Sequence, residues 1–150
     1  MKKTSAEPGS SDHVLTLCHM LSNRIGKAFA VELESQDVTV VEWRVLLTLA
    51  QYEPASGKEI TGRWAMDKMA VNRAISSLQR RNLIKKKINS VDKRVIDLML
   101  SASGHKLYDQ LLPVANERYH KLLSGLNSIE EKQLRTTLLK LIVHVDEIEE

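Results

Sequence analysis

The fold is decided by residues 56–100, which read SGKEITGRWAMDKMAVNRAISSLQRRNLIKKKINSVDKRVIDLML. Ser56 and Glu59 form a capping box and predict a two-turn helix from Ile60 to about Met66. Asp67 is a typical N-cap residue and predicts another helix directly afterwards. Two short helices joined so closely, the second of them more basic on its outer face, are typical of a helix-turn-helix.

After this helix pair the spacing of apolar residues changes from a helical period to alternation. In Ile84–Ile88 the residues at every second position are Ile84, Lys86 and Ile88, and in Ile96–Leu100 they are Ile96, Leu98 and Leu100. Such alternation predicts two β-strands, joined here by a polar tip at residues 89–94. A hairpin that follows a helix-turn-helix is a wing. We therefore predict a winged helix-turn-helix at about residues 39–101.

Long helices are predicted on both sides of this domain. Apolar residues three and four positions apart, beginning at Val14, predict a helix over residues 12–34. Thr39 and Glu42 form a capping box that begins the next helix, which Pro54 closes. Residues 102–148 are predicted to hold two more helices, the last beginning at a capping box of Ser128 and Glu131.

The chain is thus predicted to be mainly α-helical with one small β-hairpin wing. Its 150 residues are enough for one ordinary hydrophobic core. Residues 1–11 are rich in Ser, Lys, Gly and Pro, and we expect a disordered tail there. Residues 12–150 are expected to form a single domain.

Positive charge is concentrated in the middle of the chain. Residues 63–94 contain ten basic and two acidic residues, a net charge of +8, whereas the whole chain carries only +3. The remaining residues are therefore acidic on balance. This distribution favours a polyanionic partner for the middle segment.

Other classes of function find little support. No nucleophile elbow, phosphate-binding glycine loop or pair of acids in an apolar setting is present, so we expect neither an enzyme nor a bound cofactor. The five histidines are scattered, and no metal site is expected. Cys18 lies on the apolar stripe of the first helix, and we interpret it as a packing residue, with redox sensing as the alternative. We expect no secretory signal and no membrane span, and hence a cytoplasmic protein.

Several runs resemble the MarR family of transcriptional regulators in order and spacing. They are Glu42–Leu46, Glu59–Trp64, Val71–Leu78, Leu83–Lys86, Asp92–Arg94 and Leu100-Ser101-x-x-Gly104. The resemblance covers about residues 12–148. It implies a triangular homodimer, with N- and C-terminal helices at the interface and two winged domains that grip a palindrome. The family usually has Gly where this chain has Asn82, a residue that tolerates the left-handed conformation.

The resemblance and the side-chain chemistry together predict contacts to double-stranded DNA. In the major groove Asn pairs well with adenine and Arg with guanine, while an arginine on a wing enters a narrow minor groove. Asp92 is included because it would orient Arg94. The predicted DNA-binding residues are Lys68, Ala70, Asn72, Arg73, Ser76, Asp92, Lys93 and Arg94. The alternative for each is an ordinary solvated surface.

The apolar seams of the outer helices predict the homodimer interface, because a monomer of this size would not cover them. The residues assigned to it are Val14, Leu21, Leu111, Leu134, Leu138, Leu141 and Val145.

An effector pocket is implied by the family resemblance, between the dimerisation helices and the winged domain. Here it would be lined by His19, Met20, Arg24, Trp43 and Arg44. A cation beside an aromatic wall suits an aromatic carboxylate or a phenol. The alternative is that Trp43 belongs to the core and Arg44 pairs with an acid.

These features predict a sequence-specific, nucleoid-associated regulator, namely a repressor of a nearby operon that a small ligand releases from a palindromic operator. The alternative is a dimeric architectural or interaction module that binds DNA without sequence choice. The two differ in the ratio between the affinities for one palindrome and for random DNA.

Overall fold

The computed structural model describes residues 7–150, and this part of the chain forms six helices and one antiparallel pair of strands. The elements are α1 (Val14–Glu34), α2 (Val40–Tyr52), α3 (Gly57–Trp64), α4 (Lys68–Arg80), β1 (Ile84–Ile88), β2 (Ile96–Leu100), α5 (Ala102–Leu123) and α6 (Ser128–Glu149). In the hairpin, Ile84 pairs with Leu100 and Ile88 with Ile96. The predicted fold class, mainly α with a β-hairpin wing, is confirmed.

Side-chain caps determine where the central helices begin. The backbone N–H of Glu42 donates to Thr39 Oγ1 at 3.1 Å, and the N–H of Thr39 donates to Glu42 Oε2 at 3.0 Å. Ser56 and Glu59 form the same reciprocal pair before α3. Asp67 Oδ2 accepts a hydrogen bond from the backbone N–H of Ala70, at the start of α4. The caps predicted for these three helices are therefore confirmed.

Two predicted helix starts are wrong. Helix α6 is capped by Asn127 and Glu130 rather than by Ser128 and Glu131, since Asn127 is an equally good cap and has its own acid three residues on. Helix α3 starts at Gly57 rather than Ile60, because its cap is already Ser56.

The predicted tail lies partly outside the described residues, which exclude 1–6. Residues 7–12 form turns in which Ser10 N–H donates to Glu7 O and Gly9 N–H donates to Thr16 Oγ1. The helix that follows begins at Val14, and the side chain of His13 caps it.

Helix α2 is the centre of the core in the first of two compact units, which among the described residues spans 7–112. Its Val45, Leu46 and Leu49 side chains have no exposed surface, and the helix packs against α1, α4 and β2. The apolar face of α4 is also buried: Val71, Ala74, Ile75 and Leu78. Burial of this face directs the opposite face of α4 to solvent.

The wing is joined to α5 by a tightly packed corner. Asn82 has φ +56°, the left-handed conformation predicted for it. Ser101 Oγ donates to Asn82 O at 2.6 Å and accepts from Gly104 N–H at 3.0 Å. A Cβ on Gly104 would collide with the carbonyl oxygen of Leu83. The Leu100-Ser101-x-x-Gly104 run thus has a structural role.

The second compact unit, residues 113–150, contains the end of α5 and all of α6. No residue of the 22-residue helix α6 is buried. None of the helices between residues 7 and 150 is long and apolar enough to cross a membrane.

Candidate DNA-binding surface

Helix α4 is held in place at both ends. It follows α3 after only three residues, of which Ala65 is left-handed with φ +49°. Just beyond its C-terminus, Arg81 Nη1 donates to Asp37 O at 2.7 Å and lies 3.7 Å from Glu42 Oε2. These contacts set the direction in which α4 presents its exposed face.

The exposed face of α4 forms an open groove of about 610 Å³. The groove is lined by Lys68, Met69, Asn72, Arg73, Ser76 and Arg80. Four of the predicted DNA-binding residues are thus brought together. Met69 and Arg80 were not predicted, although Arg80 lies two turns after Arg73 on the same face and a helical plot would have found it.

Ala70 lies apart from this groove. It is half-buried and lines an adjacent depression that faces the start of α2, with Thr39, Val41 and Glu42 among its neighbours. Arg73 and Arg80 line both the groove and this depression. By the spacing of apolar residues alone, either Met69 or Ala70 would fit the apolar face of α4. In the structure Ala70 faces the protein, whereas Met69 faces solvent.

A second open groove runs between α3 and α4, with a volume of about 470 Å³. Lys58 and Thr61 of α3 and Lys68 and Asn72 of α4 line it. Gly57 allows α3 to approach closely, because a Cβ there would meet Ile75 Cδ1 at 3.3 Å. Lys58 and Thr61 were missed; their spacing of three on α3 was the available signal.

The tip of the wing is held by hydrogen bonds from two polar side chains. Asn89 Oδ1 accepts from the N–H groups of Val91 and Asp92, and Asn89 Nδ2 donates to Asp97 Oδ2 at 3.0 Å. Asp92 Oδ1 accepts from the backbone N–H of Arg94 at 3.0 Å. The loop therefore has a defined shape although it projects into solvent.

Within this loop Asp92 also binds the Arg94 side chain. The Arg94 guanidinium donates through Nε to Asp92 Oδ1 and through Nη2 to Oδ2. These bonds to Arg94 hold the pKa of Asp92 below its ordinary value. The Arg94 side chain is nevertheless 92% exposed. Lys93 is exposed beside it.

The five residues predicted for an effector have diverse surroundings. Trp43 is only 2% exposed and stacks on Tyr108 with ring centroids 5.7 Å apart, so it belongs to the core. The Arg44 guanidinium lies over the Trp64 ring at 5.2 Å and donates to Met66 Sδ. Its contacts in the described chain are thus with α3 and the turn after it, not with an acid.

His19, Met20 and Arg24 lie on α1 and are exposed. Arg24 Nη1 donates to Met20 O at 3.2 Å, one turn back along the same helix. The Trp43 Nε1–H is buried and has no hydrogen-bond partner among residues 7–150.

Six of the seven residues predicted for the dimer interface are 37–62% exposed in the single chain. They are Val14, Leu21, Leu134, Leu138, Leu141 and Val145. Leu111 is different, because it is 1% exposed and already buried within its own chain. It therefore offers no free surface to a second copy.

A model of the MarR family matches residues 38–96. Over 137 residues the chain is 30% identical to the HTH-type transcriptional repressor MdtR of Bacillus subtilis (strain 168), an alignment that covers 91% of this chain and 88% of MdtR. The matched family and this relative are transcriptional regulators and not enzymes.

Solved structures give the same result for the fold. A MarR/EmrR family transcriptional regulator from Acinetobacter sp. ADP1 is 28% identical, with a TM-score of 0.82 over 89% of this chain and 94% of that one. S. aureus MepR, solved as a complex with DNA, is 23% identical, with a TM-score of 0.76 over 87% and 97%. The chain therefore belongs to the MarR family of DNA-binding transcriptional regulators.

Proposed function

We propose that this protein is a repressor that binds one palindromic DNA sequence as a homodimer. The observation that carries the proposal is the division of α4 into two faces. One face is buried in the core of its own domain, and the other presents Lys68, Asn72, Arg73 and Arg80 together in one groove. Burial of the first face leaves the second free for a polyanion.

In this proposal α4 is the recognition helix and lies in the major groove of DNA. Asn72 and Arg73 have the amide and guanidinium groups that make bidentate contacts to adenine and guanine. Lys68, Ser76 and Arg80 would contact phosphates along the same groove. Lys58, at the start of α3, extends this phosphate-binding surface beside Lys68.

The wing would contribute a contact in the adjacent minor groove. Its two cations, Lys93 and Arg94, lie at the exposed tip of a hydrogen-bonded loop. An arginine is attracted there because narrow A·T-rich minor grooves concentrate negative potential. Asp92 would hold Arg94 in position without contacting DNA itself.

The homodimer is supported by the apolar surface of the outer helices. In α6 alone, Leu134, Leu138, Leu141 and Val145 follow a spacing of four, three and four and are all at least 37% exposed. Exposed apolar seams of this length mark protein interfaces. We assign the interface to α6 together with Val14 and Leu21 of α1. A two-fold axis would set the two α4 helices about one DNA turn apart, roughly 34 Å.

The test is a selection of bound fragments from a random DNA library at physiological salt. The proposal expects enrichment of one inverted repeat whose half-sites are centred about 10 base pairs apart, or a multiple of that spacing. Enrichment of no sequence would contradict it and would favour the architectural module instead. Repression itself is tested by placing the enriched repeat in a promoter and measuring transcription with and without the protein.

Release by a small aromatic ligand is the second part of the proposal. Arg24 offers an exposed cation on α1. A carboxylate or phenol oxygen would pair with this cation. Benzoate and phenol are suitable probes. If benzoate or phenol releases the protein from the selected operator, and does so less effectively in Arg24→Ala, this part of the proposal is supported. If neither probe releases the protein at millimolar concentration, this part is contradicted.

A repressor must share a compartment with the chromosome. We therefore propose a cytoplasmic location with association to the nucleoid, which imaging of a fluorescent fusion beside stained DNA would test.

A further inference from the structure

Met69 is an apolar side chain on an otherwise polar surface. It lies in the first turn of α4 and is 65% exposed. It heads a stripe that continues through Arg73, Ser76 and Arg80 at a spacing of four, three and four, and Asn72 lies beside it. The side chain therefore lies at the N-terminal end of the proposed DNA-binding groove.

The fold gives no reason for methionine at this position. The core contacts of α4 are made by residues on its other face, and Asp67 caps the helix without help from Met69. A negatively charged residue would stabilise the first helical turn better than methionine does. The exposed apolar surface is thus explained by a partner more readily than by folding.

The chemistry of the major groove identifies what an apolar side chain can recognise there. Adenine, guanine and cytosine present hydrogen-bond donors and acceptors at that edge, whereas thymine also presents a methyl group. Methionine is unbranched and flexible, and it adapts to such a surface. The polar groups of Asn72 and Arg73 recognise hydrogen-bond donors and acceptors. They do not recognise the methyl group of thymine.

We infer that Met69 reads the 5-methyl group of one thymine in each half-site of the operator. This inference rests on the proposed function, because it requires that α4 enters the major groove. It adds a specificity-determining residue one helical turn before the two side chains expected to read bases by hydrogen bonds. The thymine should therefore adjoin a base pair contacted by Asn72 or Arg73.

The test replaces each thymine of the selected operator in turn by deoxyuridine, which lacks only the methyl group. The wild-type protein should lose affinity by about fourfold at one thymine per half-site, the factor that corresponds to burial of one methyl group. Met69→Ala should bind both versions equally. Met69→Leu, which keeps an apolar side chain, should retain part of the discrimination.

Circular dichroism and thermal melting check that Met69→Ala is folded, which is expected because alanine favours an exposed helical position. If deoxyuridine weakens wild type and Met69→Ala equally at every position, or weakens neither, the role of Met69 is overturned while sequence-specific binding stands. If the wild-type protein selects no sequence from the library, the proposed function and this inference both fail.

Discussion

The Arg94 guanidinium is bound at the wing tip by the Asp92 carboxylate, with 3.2 Å from Nε to Oδ1 and 3.3 Å from Nη2 to Oδ2. Both residues belong to one short loop, whose backbone bonds to Asn89 and Asp92 fix its shape. An exposed arginine normally samples many rotamers, and ordering it costs entropy on binding. If Arg94 contacts DNA as proposed, the carboxylate removes part of that cost in advance.

Replacing Arg94 by Ala should weaken operator binding by about 1 to 3 kcal/mol, and the loss should be greatest when the flanks are A·T-rich. Fluorescence anisotropy with A·T-rich and G·C-rich flanks measures the difference. Lys87→Ala is the matched control, since Lys87 is an exposed cation on β1 outside the loop. Equal losses on both flanks would argue against a minor-groove contact.

Asp92 should titrate below its ordinary pKa of 3.8, because the hydrogen bonds from Arg94 stabilise its charged form. A depressed pKa means that the stabilisation is fully present above 3.8 and is lost as the pH falls through the lower folded value. Asp92 is therefore expected to carry its charge throughout the neutral range, as the pair requires. Carboxyl carbon NMR measures the titration, and Arg94→Ala should raise the pKa. A value for the wild type at or above 3.8 would show that the pair does not form in solution.

Gly104→Ala should destabilise the protein by about 1 to 3 kcal/mol, because the added Cβ collides with the Leu83 carbonyl and forces the corner between the wing and α5 to move. Urea denaturation measures the change. In the control, Gly62→Ala, the added Cβ meets nothing within 4 Å. That variant should be stabilised by about 0.5 to 1 kcal/mol. Equal effects of the two substitutions would contradict the packing described at this corner.

Leu141→Lys should give a monomer, or a chain that does not fold, because it places an unpaired charge in the apolar seam of α6 at a cost on the order of several kcal/mol. Operator binding should be lost although every proposed DNA contact is intact. Thr136→Lys, on the opposite side of the same helix, is the control and should remain dimeric. Sedimentation measures the assembly. A folded monomer of Leu141→Lys that still binds the full palindrome tightly would disprove the dimeric mechanism.

Much of the fold could be predicted because it is encoded locally. A capping box needs only two residues three apart, and both the Thr39–Glu42 and Ser56–Glu59 boxes form as predicted. Where two local solutions overlap, the sequence does not choose between them. Asn127–Glu130 and Ser128–Glu131 are both possible boxes, and α6 uses the first.

Less of the site could be predicted, because it depends on which face of a helix meets the core. The spacing of apolar residues in α4 did not show which of Met69 and Ala70 faces the protein. The apolar residues of α5 did not show that Leu111 is buried within its own chain. Contacts between distant residues are also absent from any local pattern. The position of Arg44 over Trp64, a residue 20 positions away, is such a case.

The most direct test of the account is the ratio between the affinities of the wild-type protein for its selected palindrome and for random DNA of equal length, measured at physiological salt. A surface that reads bases through α4 and the wing should give a ratio of at least about a thousandfold. A ratio near one would contradict sequence-specific repression and would leave only a basic surface that binds DNA through its phosphates.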